Sequence, residues 1–125
     1  RVATDGWLLL YEPLARRPIL HVKDAARAML WALEGLAGGR LAHRVYNVAA
    51  ETVTKRELCH AIHRQVPGFH WVEGQGHDPD RRDYAVNCDR IVAEGWKPER
   101  TLEEGIQELL RAYMIFGGRG THANA

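Results

Sequence analysis

The spacing of apolar and polar residues changes several times along the chain, and each change predicts an element. Short runs rich in apolar and β-branched residues, bounded by turn-forming residues, predict strands. Such runs lie at residues 7–11, 19–22, 43–48 and 69–73, with a brief extended stretch at 84–86. The second run follows Pro18, whose missing N–H suits the start of a strand.

Elsewhere the apolar residues recur every three or four positions, which is the period of an amphipathic helix. The first predicted helix carries Asp24 in its first turn, where the helix dipole favours a negative charge. Its apolar positions are Ala26, Met29, Leu30, Leu33 and Ala37, and its end is marked by Gly35, Gly38 and Gly39. We therefore expect one long helix after the second strand.

Three later helices have recognisable ends. Two of them begin at a Thr-x-x-Glu capping box, in which each side chain accepts a hydrogen bond from the other residue's backbone N–H. The boxes are Thr54 with Glu57 and Thr101 with Glu104. Between them, Asn87 is predicted to cap a short helix that extends to about residue 94 and ends at Gly95.

Strands and helices alternate along the chain, which favours an α/β fold. With 125 residues the chain is long enough for one domain, which we place at residues 1–116, followed by a flexible tail at 117–125. It has no opening unit of strand, glycine-rich turn and helix, so it resembles an α/β enzyme that starts in its middle. The first residue, Arg1 in place of Met, suggests a processed chain or a piece of a longer one.

Composition excludes several classes of function. Hydrophobic residues make up 46% of the chain and charged residues 26%, as in an ordinary globular protein. A net charge of +1 supplies no basic field for nucleic acid, and the run at residues 7–11 is too short to span a membrane. Two cysteines, Cys59 and Cys88, do not make a disulfide scaffold, so we expect buried or half-buried thiols in the reducing cytoplasm.

The histidines offer a metal site only on weak spacing. His60 and His63 lie three residues apart on a predicted helix, with Cys59 or His70 nearby in sequence. Structural zinc sites show tighter paired spacings, so we expect a solvated helix face and no metal. His21 stands inside a predicted strand, where we expect a hydrogen-bonded structural role.

Two arginine pairs are the strongest candidates for a ligand site. Arg16 and Arg17 precede a predicted strand, and Arg81 and Arg82 lie in a loop rich in Gly and Asp. Guanidinium groups bind phosphates through paired hydrogen bonds. The two pairs therefore predict either a clamp on a diphosphate or solubilising surface charges.

Five motifs, in order, resemble those of the extended short-chain dehydrogenases/reductases, the nucleotide-sugar epimerases and dehydratases. They are RPILHVKDAARA at 17–28, VYNV at 45–48, TKREL at 54–58, DRRDY at 80–84, and GWKP at 95–98 with LEEGI at 102–106. Two features depart from the family pattern: Ala49 replaces the glycine after the second motif, and the family's RPGD form of the second arginine loop is absent.

The resemblance implies the C-terminal, substrate-binding part of a Rossmann-type enzyme whose N-terminal Rossmann domain holds NAD or NADP. It implies that Arg17 contacts the diphosphate of a nucleoside-diphosphate-sugar, that Arg81 or Arg82 also grips the nucleotide, and that Asn47 lies near it. The family's catalytic tyrosine and lysine have no counterpart here, because no tyrosine is followed four residues later by lysine. The chain alone is therefore expected to hold no cofactor and to be inactive.

The resemblance also implies that the strand at 44–48 lies at the edge of the missing domain's sheet. Its exposure here would favour low solubility or oligomers, and the family leaves a homodimer open. The alternative interpretation is a stand-alone nucleotide- or anion-binding module, or a scaffold, without catalysis.

Overall fold

The computed structural model describes residues 6–77 and 82–116, and its architecture is α/β as the alternation predicts. The predicted tail at 117–125 lies outside the described residues. In chain order the elements are β1 (Trp7–Leu10), β2 (Arg16–Ile19), α1 (Val22–Ala37), β3 (Glu51–Thr54), α2 (Lys55–Gln65), β4 (His70–Glu73), α3 (Asp89–Ala93) and α4 (Leu102–Phe116).

The four strands form two separate two-stranded sheets. β1 pairs in parallel with β4, with Trp7 opposite His70, whereas β2 pairs antiparallel with β3, with Arg16 opposite Thr54. Parallel strands need a long crossover, and here the crossover contains β2, α1, β3 and α2.

The predicted strand at 19–22 is wrong by three residues, because β2 occupies Arg16–Ile19. The reason is that His21 serves as the N-cap of α1. Its backbone is extended (φ −69°, ψ 139°), and its Nδ1 accepts a hydrogen bond from the N–H of Lys23 at 3.1 Å. Pro18 lies inside β2, where it is tolerated because each strand of a two-stranded sheet is an edge strand.

Residues 43–48 form no strand in the described part of the chain, so that prediction is also wrong. Tyr46 and Val48 instead pack inward. The hydroxyl of Tyr46 donates to the carboxylate of Glu94 at 2.7 Å, and its ring meets the Trp31 ring edge to face at 5.3 Å. Side-chain packing rather than a strand ladder holds this segment. The stretch at 84–86 likewise forms no strand.

Both predicted capping boxes are confirmed. The Thr54 hydroxyl accepts from the N–H of Glu57 at 3.1 Å, and the Glu57 carboxylate accepts from the N–H of Thr54 at 2.7 Å. Thr101 and Glu104 exchange the same two bonds at 3.2 and 2.9 Å. These bonds satisfy N–H groups that the first turns of α2 and α4 cannot pair internally.

The short helix α3 begins later than predicted. Its N-cap is Cys88, which makes no side-chain cap bond, whereas the side chain of Asn87 accepts from the N–H of Asp89 at 2.8 Å. Gly95 follows the helix at φ +94°, a conformation that glycine adopts without strain. The predicted end is therefore confirmed, and the predicted start is one residue early.

Two buried clusters form the core. The first, around β1, β4 and α2, contains Leu10, Cys59 and Phe69; the second, around α1 and α3, contains Ala28, Ile91 and Trp96. Cys59 is buried, Cys88 is half-buried and neither forms a disulfide, as predicted. Among the described residues, no helix has the length and apolar character needed to cross a membrane.

Candidate functional site

The two arginine segments predicted to form a ligand site lie on different elements. Arg17 is half-buried in β2, opposite Val53 of β3, and its Nη1 donates to the carbonyl of Arg16 at 3.0 Å. Arg82 is exposed in the segment between β4 and α3. Arg81 lies outside the described residues.

Asp83 joins these segments. Its Oδ1 accepts from the backbone N–H of Arg16 at 3.0 Å and from the same residue's Nε at 2.9 Å. The side-chain hydrogen bond of Arg16 lowers the pKa of the Asp83 carboxyl most, and its backbone N–H and the charges of Arg16 and Arg17 lower it further. The carboxylate of Asp83 thus interacts electrostatically with both arginines of β2. Since Arg82 precedes Asp83 directly, the fold brings the two arginine segments side by side.

Asn47 contacts the other end of the segment that carries Arg82. Its Nδ2 donates to the carbonyl of Asn87 at 3.1 Å. The loop residues from 82 to 87 are therefore tied to β2 at one end and to the segment after α1 at the other. The resemblance alone predicts that Asn47 lies near the nucleotide. In the structure it contacts the same segment that carries Arg82.

The chemistry available at this site is anion binding. Guanidinium groups present donors to phosphate oxygens without needing a proton transfer. Tyr46, the tyrosine nearest in sequence to Asn47, is unsuited to acid–base work. Burial and the hydrogen bond to the Glu94 carboxylate raise the pKa of its hydroxyl. Tyr46 is therefore unsuited to proton transfer here, whereas the guanidinium groups offer hydrogen-bond donors to an anion.

The histidines do not assemble a metal site in the described part of the chain, where no three His, Cys, Asp or Glu side chains are placed to hold an ion. His63 Nδ1 lies 2.7 Å from the carbonyl of Phe69, and the rings of His60 and Trp71 meet at 4.8 Å. His63 is half-buried, so the predicted solvated face is wrong at this position. Both rings pack against Trp71, and His63 also hydrogen-bonds the backbone.

His21 has the structural role that its position suggested, although on a helix cap rather than in a strand. Its Nδ1 accepts from Lys23, and its Nε2 lies 3.4 Å from the carboxylate of Glu108 on α4. Both ring nitrogens are engaged, and the side chain is nearly buried. His21 therefore ties the start of α1 to α4.

Sequence patterns did not reveal a large apolar groove between the end of β2, α2 and α4. Its volume is about 670 Å³, and its lining includes Leu20, Leu58, Ile62, Ile106, Leu109 and Tyr113. In the sequence, this groove is indicated by the apolar positions of α4. They do not by themselves predict a groove, because the sequence does not show which elements cover them.

No family model matches the chain. A rice protein (Oryza sativa subsp. japonica), provisionally named GDP-L-fucose synthase 2, is 34% identical over 115 residues, which are 87% of this chain and 31% of the relative. A dTDP-glucose 4,6-dehydratase of Escherichia coli is 31% identical over 113 residues, 78% of this chain and 29% of the relative.

Solved structures match over a similar fraction of this chain and of their own length. A GDP-6-OMe-4-keto-L-xylo-heptose reductase from C. jejuni superposes with a TM-score of 0.74 at 17% identity, over 88% of this chain and 34% of that one. An L-threonine dehydrogenase from Phytophthora infestans gives a TM-score of 0.75 at 18% identity, over 92% and 39%. Other structures of this fold were determined with NADPH.

The fold therefore defines the chain as part of a Rossmann-type α/β protein. More narrowly, it is related to the extended short-chain dehydrogenases/reductases, as its motifs predict. The chain spans about a third of the length of the curated relatives it matches.

Proposed function

We propose that this chain is the C-terminal portion of an NAD(P)-dependent nucleotide-sugar epimerase, dehydratase or reductase, and that it binds the nucleoside-diphosphate-sugar. The observation that carries the proposal is the double hydrogen bond from Arg16 to Asp83, which brings the two arginine segments together. The names of the curated relatives, both enzymes of nucleotide sugars, supply the substrate class.

Within the site, Arg17 is the proposed diphosphate ligand. Arg16 pairs with the Asp83 carboxylate at 2.9 Å, so its proposed role is to hold β2 against the segment that carries Arg82. Arg82, and Arg81 beside it, would approach the nucleotide from the second segment. Asn47 would hold that segment in place through Asn87. The binding energy of the nucleotide would then position the sugar for chemistry elsewhere in the enzyme.

NAD or NADP does not fit the described residues, because no glycine-rich turn leads from a strand into a helix. We place the cofactor in an N-terminal Rossmann domain, which supplies hydride transfer when the cofactor is bound. This chain by itself would bind substrate without turning it over. Its two free cysteines suit a reducing compartment, and we place the protein in the cytoplasm.

A second candidate is an anion- or nucleotide-binding module, or a scaffold, without catalysis. It is favoured by the sequence itself, in which no tyrosine is followed four residues later by lysine. The two candidates differ in what accompanies the chain. An upstream glycine fingerprint with Tyr-x-x-x-Lys supports the enzyme, and a Met codon directly before Arg1 supports the module.

The test is a thermal-shift titration with UDP-, GDP-, CDP- and dTDP-sugars. A ligand that binds only the folded state stabilises it by about 2.7 kcal/mol at a hundred times Kd. We expect one nucleotide class to raise Tm, and Arg17→Ala and Arg82→Ala to abolish the rise. Arg64→Ala is the matched control, because Arg64 is an exposed arginine on another element, where it pairs with Glu103 at 2.7 Å.

The outcome separates the interpretations. If no nucleotide sugar shifts Tm, this chain does not bind the diphosphate by itself. If Arg17→Ala responds as strongly as the wild type, the ligand lies elsewhere. If Arg64→Ala loses the response as well, the loss reflects general destabilisation rather than the site.

A further inference from the structure

The chain leaves β4 across the ring of Tyr11. A methyl group on Gly76 would lie 2.7 Å from Cε1 of that ring and 2.9 Å from its Cδ1. One on Gly74 would lie 3.1 Å from the same Cε1 and 2.9 Å from Cδ1 of Leu9. Because carbon atoms that are not bonded prefer a separation of about 3.5–4.0 Å, the backbone can follow this course only where the residue has no Cβ. The contact therefore depends on both glycines and on the ring.

The backbone on either side of this ring is held in place by the start of α2. The carbonyl of Tyr11 accepts a hydrogen bond from Nζ of Lys55 at 3.2 Å. Glu12, the next residue, is the one non-glycine residue in the described part of the chain with a positive φ, 51°. Such a conformation persists only where its surroundings hold it. Here the N–H of Ala15 donates to the carbonyl of Glu12 at 2.9 Å, and the N–H of Lys55 donates to the carbonyl of Ala15 at 3.0 Å.

Contacts at two points tie the segment that carries Arg82 to the connection between β1 and β2. At one point, Nδ1 of His77 lies 3.4 Å from the carboxylate of Glu12. At the other, the Asp83 carboxylate accepts two hydrogen bonds from Arg16. Glu12 and Arg16 are four residues apart, and His77 and Asp83 are six apart. The stretch of chain that leads to Arg82 is therefore held at both ends by one short connection.

We propose that Tyr11 is a positioning residue: its ring, in contact with Gly74 and Gly76, sets the course of the chain toward Arg82. The inference rests on the proposed function, in which Arg82 approaches the nucleotide from the second segment. Ring carbons make the contacts to the glycines, so Tyr11 acts through its ring and not through its hydroxyl. The ring is therefore the group that an experiment must change.

The first experiment needs no ligand. It measures the pKa of the Asp83 carboxyl by NMR titration, because the side-chain hydrogen bond from Arg16 lowers this pKa. If Gly76→Ala diverts the chain, Asp83 loses Arg16 and its pKa rises toward the ordinary value of about 3.9. Gly68→Ala is the matched control, because a methyl group on Gly68 would meet no atom of the described residues within 4 Å. It should leave the pKa unchanged, and circular dichroism should show that both variants are folded.

A second pair of variants separates the ring from the hydroxyl. Tyr11→Phe keeps the ring carbons that contact the glycines, so it should preserve the low pKa of Asp83. Tyr11→Ala removes them and should raise this pKa as Gly76→Ala does. A pKa of Asp83 that stays low in Gly76→Ala, or that rises in Tyr11→Phe, would overturn the positioning role.

The third experiment measures Kd at constant temperature by isothermal titration calorimetry, with UDP, GDP, CDP and dTDP and with their monophosphates. Gly76→Ala should weaken binding of the preferred diphosphate about tenfold, the loss expected for one hydrogen bond to a charged group. It should leave the monophosphate nearly unaffected. Tyr11→Phe and Gly68→Ala should keep the wild-type ratio of the two affinities. A general loss of stability would not change that ratio while the protein remains folded.

The two kinds of measurement keep the inference distinct from the proposed function. If the wild type binds none of these nucleotides, the proposed function fails, and the titration of Asp83 still decides whether Tyr11 sets the course of the chain. If nucleotides bind and Gly76→Ala leaves both the Asp83 pKa and the ratio of affinities unchanged, the function stands and the positioning role fails.

Discussion

At the scale of single residues, Asp24 is the buried charge on which the connection between α1 and α4 depends. It is fully buried and accepts hydrogen bonds from the backbone N–H of Arg100 at 2.9 Å and of Glu99 at 3.1 Å, and from Arg27 at 2.7 Å. Burial raises the pKa of its carboxyl, but the three donors outweigh burial and the net shift is downward. A buried carboxylate is stable here because three donors, one of them a guanidinium, replace the water it has lost.

Replacing this carboxylate should be costly. Asp24→Ala leaves two buried N–H groups and Arg27 without their acceptor, and we expect the free energy of unfolding to fall by about 3 kcal/mol. Asp24→Asn keeps one acceptor oxygen and should lose less. Urea denaturation of both variants measures the difference. Because asparagine has nearly the same size as aspartate, equal losses would mean that the negative charge, rather than the remaining acceptor oxygen, determines the cost.

The same residue predicts a pH dependence. Because the folded pKa of Asp24 lies below the unfolded value of about 3.9, its stabilisation is complete above that value. It is lost as the pH falls through the folded pKa. We expect the urea midpoint of the wild type to fall more steeply than that of Asp24→Asn between about pH 5 and pH 2. Parallel curves would show that other carboxylates account for the acid sensitivity.

At the scale of elements, the capped helix starts and the strands β1 and β4 were well predicted, whereas the strands expected at 19–22, 43–48 and 84–86 were not. Each capping box involves groups three residues apart, so the pattern and the structure coincide at Thr54 and Thr101. Strands depend on partners distant in sequence. Residues 43–48 have an apolar pattern suitable for a strand, yet the described chain uses Tyr46 and Val48 for packing and pairs Glu51–Thr54 instead.

The cap of α2 gives a test at this scale. Thr54→Ala removes the side-chain acceptor for the N–H of Glu57 and should lower the free energy of unfolding by about 1 kcal/mol. Thr54→Ser preserves the acceptor oxygen and should stay close to the wild type. Chemical denaturation of the two variants compares the cap with the effect of simply losing the methyl group. A serine variant as unstable as the alanine variant would contradict the role of the cap.

At the scale of the whole molecule, the candidate site depends on segments that are far apart in the chain. Arg16 and Asp83 are 67 residues apart, and Asn47 and Asn87 are 40 apart. The proximity of the two arginine segments therefore depends on the whole fold.

If the arginines bind a diphosphate, the number of phosphates should control affinity. We expect the best nucleoside-diphosphate-sugar and its nucleoside diphosphate to raise Tm more than the matching nucleoside monophosphate, because a second phosphate engages a second guanidinium. Arg17→Ala should remove this difference. Raising the salt concentration should weaken binding of the diphosphate more than of the monophosphate. A monophosphate as effective as the diphosphate would indicate recognition through the base and ribose instead.

The local chemistry of this protein is determined by its sequence alone. The two capping boxes and the glycine that ends α3 follow from residues that act within a few positions of one another, and the free thiols follow from the low number of cysteines. The order of the motifs also indicated the family, because motif order survives where overall identity is low. The arginine pairs could be named as candidates, but their proximity could not be deduced.

Tertiary structure decided what depends on distant partners. It set β2 at Arg16–Ile19 because His21 caps the following helix, and it brought Asp83 to Arg16 through a contact that no local pattern encodes. It also showed that some apolar residues of α1, such as Ala28, are buried, whereas others, such as Leu33 and Leu36, are exposed. Periodicity reports that a helix has apolar positions, but only packing determines which of them are covered, because burial depends on every other element of the fold.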